Sequence, residues 1–124
     1  MTKIPKILFL VFSIIVTVVY LASCEKYTFL DAPVIPDDPV FYSKDIQPIF
    51  NAKCVRCHSG GTLEPDLRPE NSFKALTDGG YLTLPAQESE LYKKGFVSIS
   101  HAAYSDQTER GKILAWIMQG AENN

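Results

Sequence analysis

A chain of 124 residues has room for one small domain. It carries 12 Lys and Arg against 14 Asp and Glu, which gives a formal net charge of -2 at pH 7. Two of these bases, Lys3 and Lys6, lie at the extreme N-terminus, so 12 less 2 leaves 10 bases against 14 acids in the rest. An acidic remainder argues against a nucleic-acid partner, which favours a basic face.

The N-terminus has the pattern of a targeting segment. Its basic start is followed by an uncharged apolar run over residues 7–20 and by Leu-Ala-Ser-Cys at 21–24. A basic start, an apolar run and small residues at its end predict a secretory signal peptide over residues 1–23. The tetrapeptide resembles the lipobox of bacterial lipoproteins, in which the cysteine is lipidated and becomes the first residue of the mature chain. This resemblance implies lipidation of Cys24.

A retained transmembrane anchor is the alternative, because the apolar run approaches spanning length. Either arrangement exports the rest of the chain and tethers it to a membrane, in the periplasm or at the cell surface. Glu25 stands where an aspartate often retains bacterial lipoproteins at the inner membrane, which favours the outer membrane. With Cys24 lipidated, Cys54 and Cys57 are expected to be paired, metal-bound or bonded to a cofactor, because free thiols do not persist in an oxidising compartment.

The mature chain divides into a tether and a domain. Residues 24–40 contain three prolines and little helical periodicity, which predicts an extended tether. The folded domain is predicted over residues 41–124, a length at which a core built from side chains alone is marginal. A bound cofactor would add to that core.

The first helix of the domain is predicted over residues 43–54. Ile46, Ile49 and Phe50 recur there at helical spacing. Asp45 is the expected N-cap, which places Pro48 at the third helical position, where a missing N–H costs no hydrogen bond.

Three more helices are predicted further along. One covers residues 71–80, with Asn71 or Ser72 as its cap and two glycines at its end, and one covers residues 89–95, between Ser89 and Gly95.

The last helix is the clearest. Ser105 or Asp106 can cap it and Gly120 can end it, while Ile113, Trp116 and Ile117 share one face. No sustained alternation predicts a strand, so the expected fold class is all-α with short helices and long loops.

Residues 54–60 read CVRCHSG, and C-x-x-C-H is the pattern of covalent haem c attachment. Two thioether bonds would fix the porphyrin edge to Cys54 and Cys57, about one helical turn apart. His58 follows at once and could place an imidazole nitrogen on the iron.

Other uses of the motif are open to the same residues. Cys54, Cys57, His58 and His101 make a Cys2His2 zinc site on paper, although adjacent Cys57 and His58 would then share one ion. A redox dithiol lacks its βαβ surroundings. A plain disulfide explains neither His58 nor the small size of the domain.

The chain from about Phe41 to Asn124 resembles the single-haem, class I-like cytochrome c domains of exported bacterial proteins. The matching stretches are DIQPIFNAKCVRCHSG at 45–60, SFKALTDGG at 72–80, SELY at 89–92 and ILAWIMQGAENN at 113–124. The resemblance implies a small helical bundle around one covalent haem c, with His58 as the proximal axial ligand. It also implies that the first and last helices cross beside the haem, with Phe50 packed against Trp116.

The chain departs from that family at the second axial ligand. Many relatives carry Met-Pro-Pro before the last helix, whereas this chain reads VSISHAAYSD at 97–106. The mature chain offers His101 in that loop or Met118 on the last helix, and thioether and imidazole are the usual haem ligands. Met118 falls off the centre of the buried face, so His101 is the expected distal ligand and Met118 the alternative.

The expected function is electron transfer, not catalysis, because a six-coordinate iron passes single electrons without binding substrate. A haem enzyme or ligand-binding domain with an open distal position is the alternative, and a structural zinc domain is a third. No catalytic triad or phosphate-binding glycine loop is apparent. The partners expected are a redox protein and a membrane.

Overall fold

The structure, a computed structural model, describes residues 6–21, 30–98 and 100–124. Cys24, the residues before Lys6 and the first part of the predicted tether lie outside the described residues. Every regular element in the described part of the chain is helical, so the expected all-α class is confirmed.

The first helix, α1, spans Lys6–Leu21 and comprises most of the predicted signal peptide. Its apolar side chains are exposed, among them Leu8, Phe9 and Phe12. None of the helices in the described part of the chain combines the length and the apolar character needed to cross a membrane.

The domain is built from short helices joined by turns. Its α-helices are α2 (Gln47–Lys53), α3 (Ser72–Asp78), α4 (Glu90–Tyr92) and α5 (Gln107–Met118). Two π-helical turns, Tyr42–Ile46 and Lys93–Val97, precede α2 and follow α4. Two 3₁₀ turns, Ala86–Glu88 and Ala102–Tyr104, complete the set.

The central element is α5. Ile113, Leu114, Trp116 and Ile117 are at most 3% exposed, so burial extends beyond the single face expected from the sequence. A helix that is buried nearly all round belongs to the centre of a core. The π-helical turn before α2 and the short helices around Tyr92 pack against it.

The start of α5 follows the sequence closely. The Asp106 carboxylate accepts hydrogen bonds from the backbone N–H groups of Thr108 and Glu109, both at 2.8 Å. The Glu109 carboxylate in turn accepts from the Asp106 N–H at 3.1 Å. This reciprocal capping box satisfies N–H groups that have no partner inside the helix. The expected cap is therefore confirmed, and Gly120, with φ +104°, follows the helix as expected.

Two expected helix boundaries were wrong. Asp45 is not the N-cap of the first helical segment, because that segment starts one turn earlier, at Tyr42, and Asp45 lies inside it. Its carboxylate reaches back to accept from the Phe41 N–H at 3.0 Å. Gly95 does not end the helix predicted over residues 89–95 either, because the chain continues from α4 through a π-helical turn to Val97. The expected cap at Ser89 is confirmed by its hydrogen bond from the Tyr92 N–H at 3.3 Å.

Part of the predicted tether packs on the domain. The Val34 N–H donates to the Gln107 carbonyl at 2.9 Å, and the Arg110 guanidinium donates to the Asp31 carbonyl at 2.9 Å. Gly111 lies directly under this segment, because a Cβ at that position would stand 1.7 Å from the Val34 carbonyl oxygen. The segment from Asp31 to Val40, which we call the strap, therefore lies along α5.

The C-terminal residues close the fold on the same side. The side chain of Asn124 accepts from the Tyr42 N–H at 2.8 Å, and its backbone carbonyl accepts from the Ser43 N–H at 2.9 Å. Both donors belong to the first turn of a helical segment and have no partner within it. The chain end thus caps the segment that leads into α2.

Candidate metal centre

The turn that carries the two cysteines directly follows α2, with Cys54 as the C-cap of that helix. The Cys54 N–H donates to the Phe50 carbonyl at 2.8 Å, and the Cys54 carbonyl then accepts from the N–H groups of Cys57 at 3.0 Å and His58 at 2.9 Å. One turn of chain therefore holds all three motif residues together. Both cysteines are free thiols, with Cys54 partly buried and Cys57 exposed.

The two thiols lie in different surroundings. Burial raises the pKa of Cys54 to about 11, and the nearby carboxylate of Glu109 raises it as well. Glu109 belongs to the capping box of α5 and forms an ion pair with Lys53 at 3.6 Å. Cys54 is therefore a neutral thiol at neutral pH, packed against the core.

The ring of His58 is held by a backbone carbonyl. Its Nδ1 lies 3.1 Å from the carbonyl oxygen of Pro65. A carbonyl oxygen can only accept, so Nδ1 carries the proton and donates it. In the tautomer that carries its proton on Nδ1, Nε2 is unprotonated, which is the form in which imidazole binds a metal.

The ring of His101 is held by hydroxyl groups. Its Nδ1 lies 2.9 Å from the Ser100 hydroxyl oxygen and 3.4 Å from that of Ser98. His101 precedes the 3₁₀ turn Ala102–Tyr104, and the Tyr104 N–H donates to its carbonyl at 2.9 Å. Within the described residues, neither histidine uses its Nε2 in a hydrogen bond.

The imidazole rings of His58 and His101 lie close together. Their centroids are 6.3 Å apart and their planes are inclined by 47°. A metal–imidazole bond is about 2 Å long and a ring centroid lies about 1 Å behind its nitrogen, so two imidazoles on opposite sides of one metal have centroids about 6 Å apart. The centroid distance between His58 and His101 is therefore compatible with both imidazoles binding one metal ion.

The same residues do not suit a protein-built metal cage. Among the residues that the structure describes, no three His, Cys, Asp or Glu side chains lie together as a metal-binding group. Two surface hollows, one beside Pro48 and one beside Val40, are lined by other residues. Haem needs less from the chain, because the porphyrin supplies four ligands and the protein supplies the axial ones.

The alternative ligand lies at the end of α5. Met118 is the last residue of that helix and is 45% exposed, in agreement with its expected place off the buried face. The ring partner of His58 in the structure is His101.

The two aromatic residues expected beside the haem are both in the core. Phe50 is fully buried and Trp116 is 1% exposed. A third ring joins them, because Tyr42 lies 6.4 Å from Phe50 and 5.1 Å from Trp116 between ring centroids. The sequence reasoning missed Tyr42, whose place at helical spacing from Ile46 and Ile49 was the available signal.

The hydrogen-bond partners of the histidines were also missed. Pro65 contributes a backbone carbonyl, which has no signature in the side-chain sequence. Ser98 and Ser100 were visible beside His101 but had no assigned role. Only the folded chain brings these groups to the two rings.

No family model, curated protein or solved structure matches the chain. Function is therefore inferred from the chain's own residues: the turn that holds Cys54, Cys57 and His58, and the ring of His101 that lies close to it.

Proposed function

We propose that the chain is an electron-transfer protein with one covalently attached haem c, bonded to Cys54 and Cys57 and ligated by His58 and His101. The observation that carries the proposal is the 6.3 Å separation of the two imidazole centroids beside a C-x-x-C-H turn. Bound haem supplies a reversible one-electron couple at its iron. With both axial positions taken by the chain, the iron exchanges electrons and does not bind substrate.

Two features of the chain support haem over zinc. Among the described residues, no three His, Cys, Asp or Glu side chains lie together as a metal-binding group, so Cys54, Cys57, His58 and His101 do not assemble the four ligands of structural zinc. Large apolar side chains are exposed between His58 and α5, among them Leu63, Leu84 and Val97.

A porphyrin is a flat apolar ring, and seating it against such side chains would remove them from water. Each apolar Å² removed stabilises the assembly by about 25 cal/mol. The haem would thus complete the packing of a domain whose own core is small.

The decisive experiment is expression with a haem-attachment system, followed by absorption spectra of the oxidised and reduced protein. The proposal expects haem that survives denaturing electrophoresis and low-spin bands in both redox states. High-spin bands would favour the alternative, a haem enzyme or ligand-binding domain with an open distal iron. Absence of a Soret band would exclude haem.

A matched variant tests the covalent bonds. The double change Cys54→Ser and Cys57→Ser keeps the size of both side chains and removes both sulfurs. It should abolish haem staining on a denaturing gel. Retained staining in the double variant would refute attachment through these cysteines.

The proposed location is a bacterial membrane surface, through lipid on Cys24. The motive is the sequence Leu-Ala-Ser-Cys after an apolar run, since Cys24 lies outside the described residues. Changing Cys24 to Ser should release mature-length protein from the membrane fraction. Mature-length Cys24→Ser protein that still sediments with membranes would show that lipid is not the anchor.

A further inference from the structure

The loop that follows the haem motif is closed on itself by His58. The Leu67 N–H donates to the His58 carbonyl at 2.9 Å, while the His58 ring donates through Nδ1 to the Pro65 carbonyl at 3.1 Å. The His58 backbone thus binds Leu67 while the His58 ring binds Pro65, two residues earlier in the chain. The direction of the imidazole depends on where the Pro65 carbonyl is held.

Asp66, the residue after Pro65, is the most heavily bonded carboxylate of this region. It accepts from the backbone N–H of Arg68 at 3.1 Å, from the Arg68 guanidinium at 3.0 Å and 2.7 Å, and from the Asn71 amide at 2.7 Å. The residue is 9% exposed. The Arg68 guanidinium holds the pKa of Asp66 well below its usual range, so the carboxylate is charged at neutral pH.

The Asp66–Arg68 ion pair also lies against the start of the loop, at Gly60. Gly60, with φ +77°, lies two residues after His58, and a Cβ there would stand 2.5 Å from Arg68 Nη2 and 2.8 Å from Asp66 Oδ2. The Asp66–Arg68 pair therefore touches the chain just after His58 and just after Pro65. Asn71 ties the pair to the start of α3.

A second set of bonds fixes the far end of the loop. The Gln47 amide donates to the Leu67 carbonyl at 3.1 Å, in a buried position at the start of α2. The segment from Pro65 to Leu67 is thus held from α2 on one side and from α3 on the other. Asp66 is the only charged residue among these three, and it adjoins the carbonyl that His58 uses.

We propose that Asp66, clamped by Arg68 and Asn71, is a positioning residue that keeps the Pro65 carbonyl on Nδ1 of His58 and thereby sets the electron donation of that ligand to the iron. The inference rests on the proposed function. A hydrogen bond from the far ring nitrogen to an acceptor fixes the ring and raises its basicity as a ligand. A more basic axial ligand stabilises ferric iron, so the clamp lowers the reduction potential.

The test is Asp66→Asn in the haem-loaded full chain. The change keeps the shape of the side chain but turns an amide N–H₂ toward the Arg68 guanidinium, where two donors repel. The loosened carbonyl should shift the ferric–ferrous equilibrium toward ferrous by up to about tenfold, which is about 59 mV for one electron. Potentiometric titration measures the shift, and the electron paramagnetic resonance spectrum of the ferric protein should change with it.

Asp78→Asn is the matched control. It makes the same chemical change to an exposed carboxylate that pairs with Lys74 on the surface of α3. Its potential and ferric spectrum should equal those of the wild type. An Asp66→Asn potential that moves no further than the control overturns the inference, even if the variant melts earlier, because a purely structural role lowers stability without moving the potential.

A pair of changes at Arg68 guards against an Asp66 variant that fails to fold. Arg68→Ala removes the guanidinium that binds Asp66, and the Arg68 side chain is 39% exposed, so the change leaves no buried cavity. Arg68→Lys keeps the positive charge but cannot donate two parallel hydrogen bonds to the carboxylate. The potential should rise in Arg68→Ala and return part of the way in Arg68→Lys. Unshifted potentials in both overturn the inference and leave the proposed function standing, whereas wild-type protein without haem overturns both.

Discussion

The imidazole rings of His58 and His101 lie 6.3 Å apart between centroids, although 42 residues separate them in the chain. His58 belongs to the turn at the end of α2, and His101 precedes the 3₁₀ turn that leads to α5. Each is fixed through Nδ1, by the Pro65 carbonyl and by the Ser100 hydroxyl. Within the described residues, neither Nε2 atom takes part in a hydrogen bond.

Changing His101 to Ala should therefore open the sixth position of the iron. The ferric protein should become high-spin, and the ferrous protein should bind carbon monoxide or added imidazole, because no other ring lies beside His58 in the described residues. Absorption spectra before and after addition of imidazole measure the change. Restoration of low-spin bands by imidazole would mark the vacancy as the site of the lost ligand.

Met118→Ala is the control for that assignment. Met118 is 45% exposed at the end of α5, and its loss should leave the iron low-spin. A high-spin Met118 variant beside a low-spin His101 variant would reverse the ligand assignment. Electron transfer would still be the proposed function in that case.

The sequence predicted the elements that depend on local chemistry. The all-α class, the limits of α3 and the cap of α5 follow from helical spacing, from the glycine pair after α3 and from the capping residues of α5, whereas the Asn71 side chain expected to cap α3 makes no capping hydrogen bond. The start of the first helical segment could not be predicted in this way. Its unpaired N–H groups are satisfied by Asn124, at the opposite end of the chain.

The candidate site divides in the same manner. Cys54, Cys57 and His58 are recognisable because their chemistry lies in adjacent positions. The place of His101 was inferred from a missing methionine, and only the fold brings its ring to His58. The packing of the strap on α5 had no sequence signal, because it depends on backbone carbonyls and on the absence of a side chain at Gly111.

Tyr42→Phe should destabilise the haem-loaded domain by about 0.5–1.5 kcal/mol, the usual net contribution of a buried hydrogen bond. The Tyr42 hydroxyl lies 2.7 Å from the Ser72 hydroxyl and 3.0 Å from the Gln47 side-chain oxygen, at a residue that is 4% exposed. Burial raises the pKa of Tyr42, so its proton is available for donation at neutral pH. Urea unfolding measures the change.

Tyr104→Phe provides the comparison, because Tyr104 is 59% exposed. Its free energy of unfolding should stay within about 0.5 kcal/mol of the wild-type value. Equal effects of the two changes would mean that the Tyr42 hydroxyl makes no net contribution to the core.

Gly111→Ala should also destabilise the domain, against the usual preference for alanine in helices. Alanine favours a helix interior by about 1 kcal/mol over glycine. Here its Cβ would stand 1.7 Å from the Val34 carbonyl oxygen and 2.3 Å from its carbonyl carbon, so the strap must move. A net loss of about 1–3 kcal/mol in urea unfolding is expected from such overpacking.

Gly61→Ala is the matched change at a position where a Cβ would meet nothing within 4 Å. It should alter stability by no more than about 0.5 kcal/mol. If Gly111→Ala were as stable as Gly61→Ala, the strap would not be packed on α5 in solution.

Asp106 should make the stability of the domain fall in acid. Its pKa is lowered by hydrogen bonds from the Glu109 N–H, which is the largest cause, and from the Thr108 N–H, with Lys53 and Arg110 adding to the effect. A carboxyl whose pKa is lower in the folded chain stabilises the fold above its ordinary pKa, near about 3.9. That contribution is lost as the pH falls through the lower, folded value.

Asp106→Asn separates the charge from the cap, because asparagine caps helices about as well as aspartate but does not titrate. Below pH 4 the free energy of unfolding of the wild type should therefore drop toward that of Asp106→Asn. Asp106→Ala should have a lower free energy of unfolding than the wild type at neutral pH, and it should lose less of it in acid. Urea midpoints from pH 7 to pH 2.5 measure the three curves. A constant gap between the wild type and Asp106→Asn over that range would show that the carboxylate's charge contributes nothing to the cap of α5.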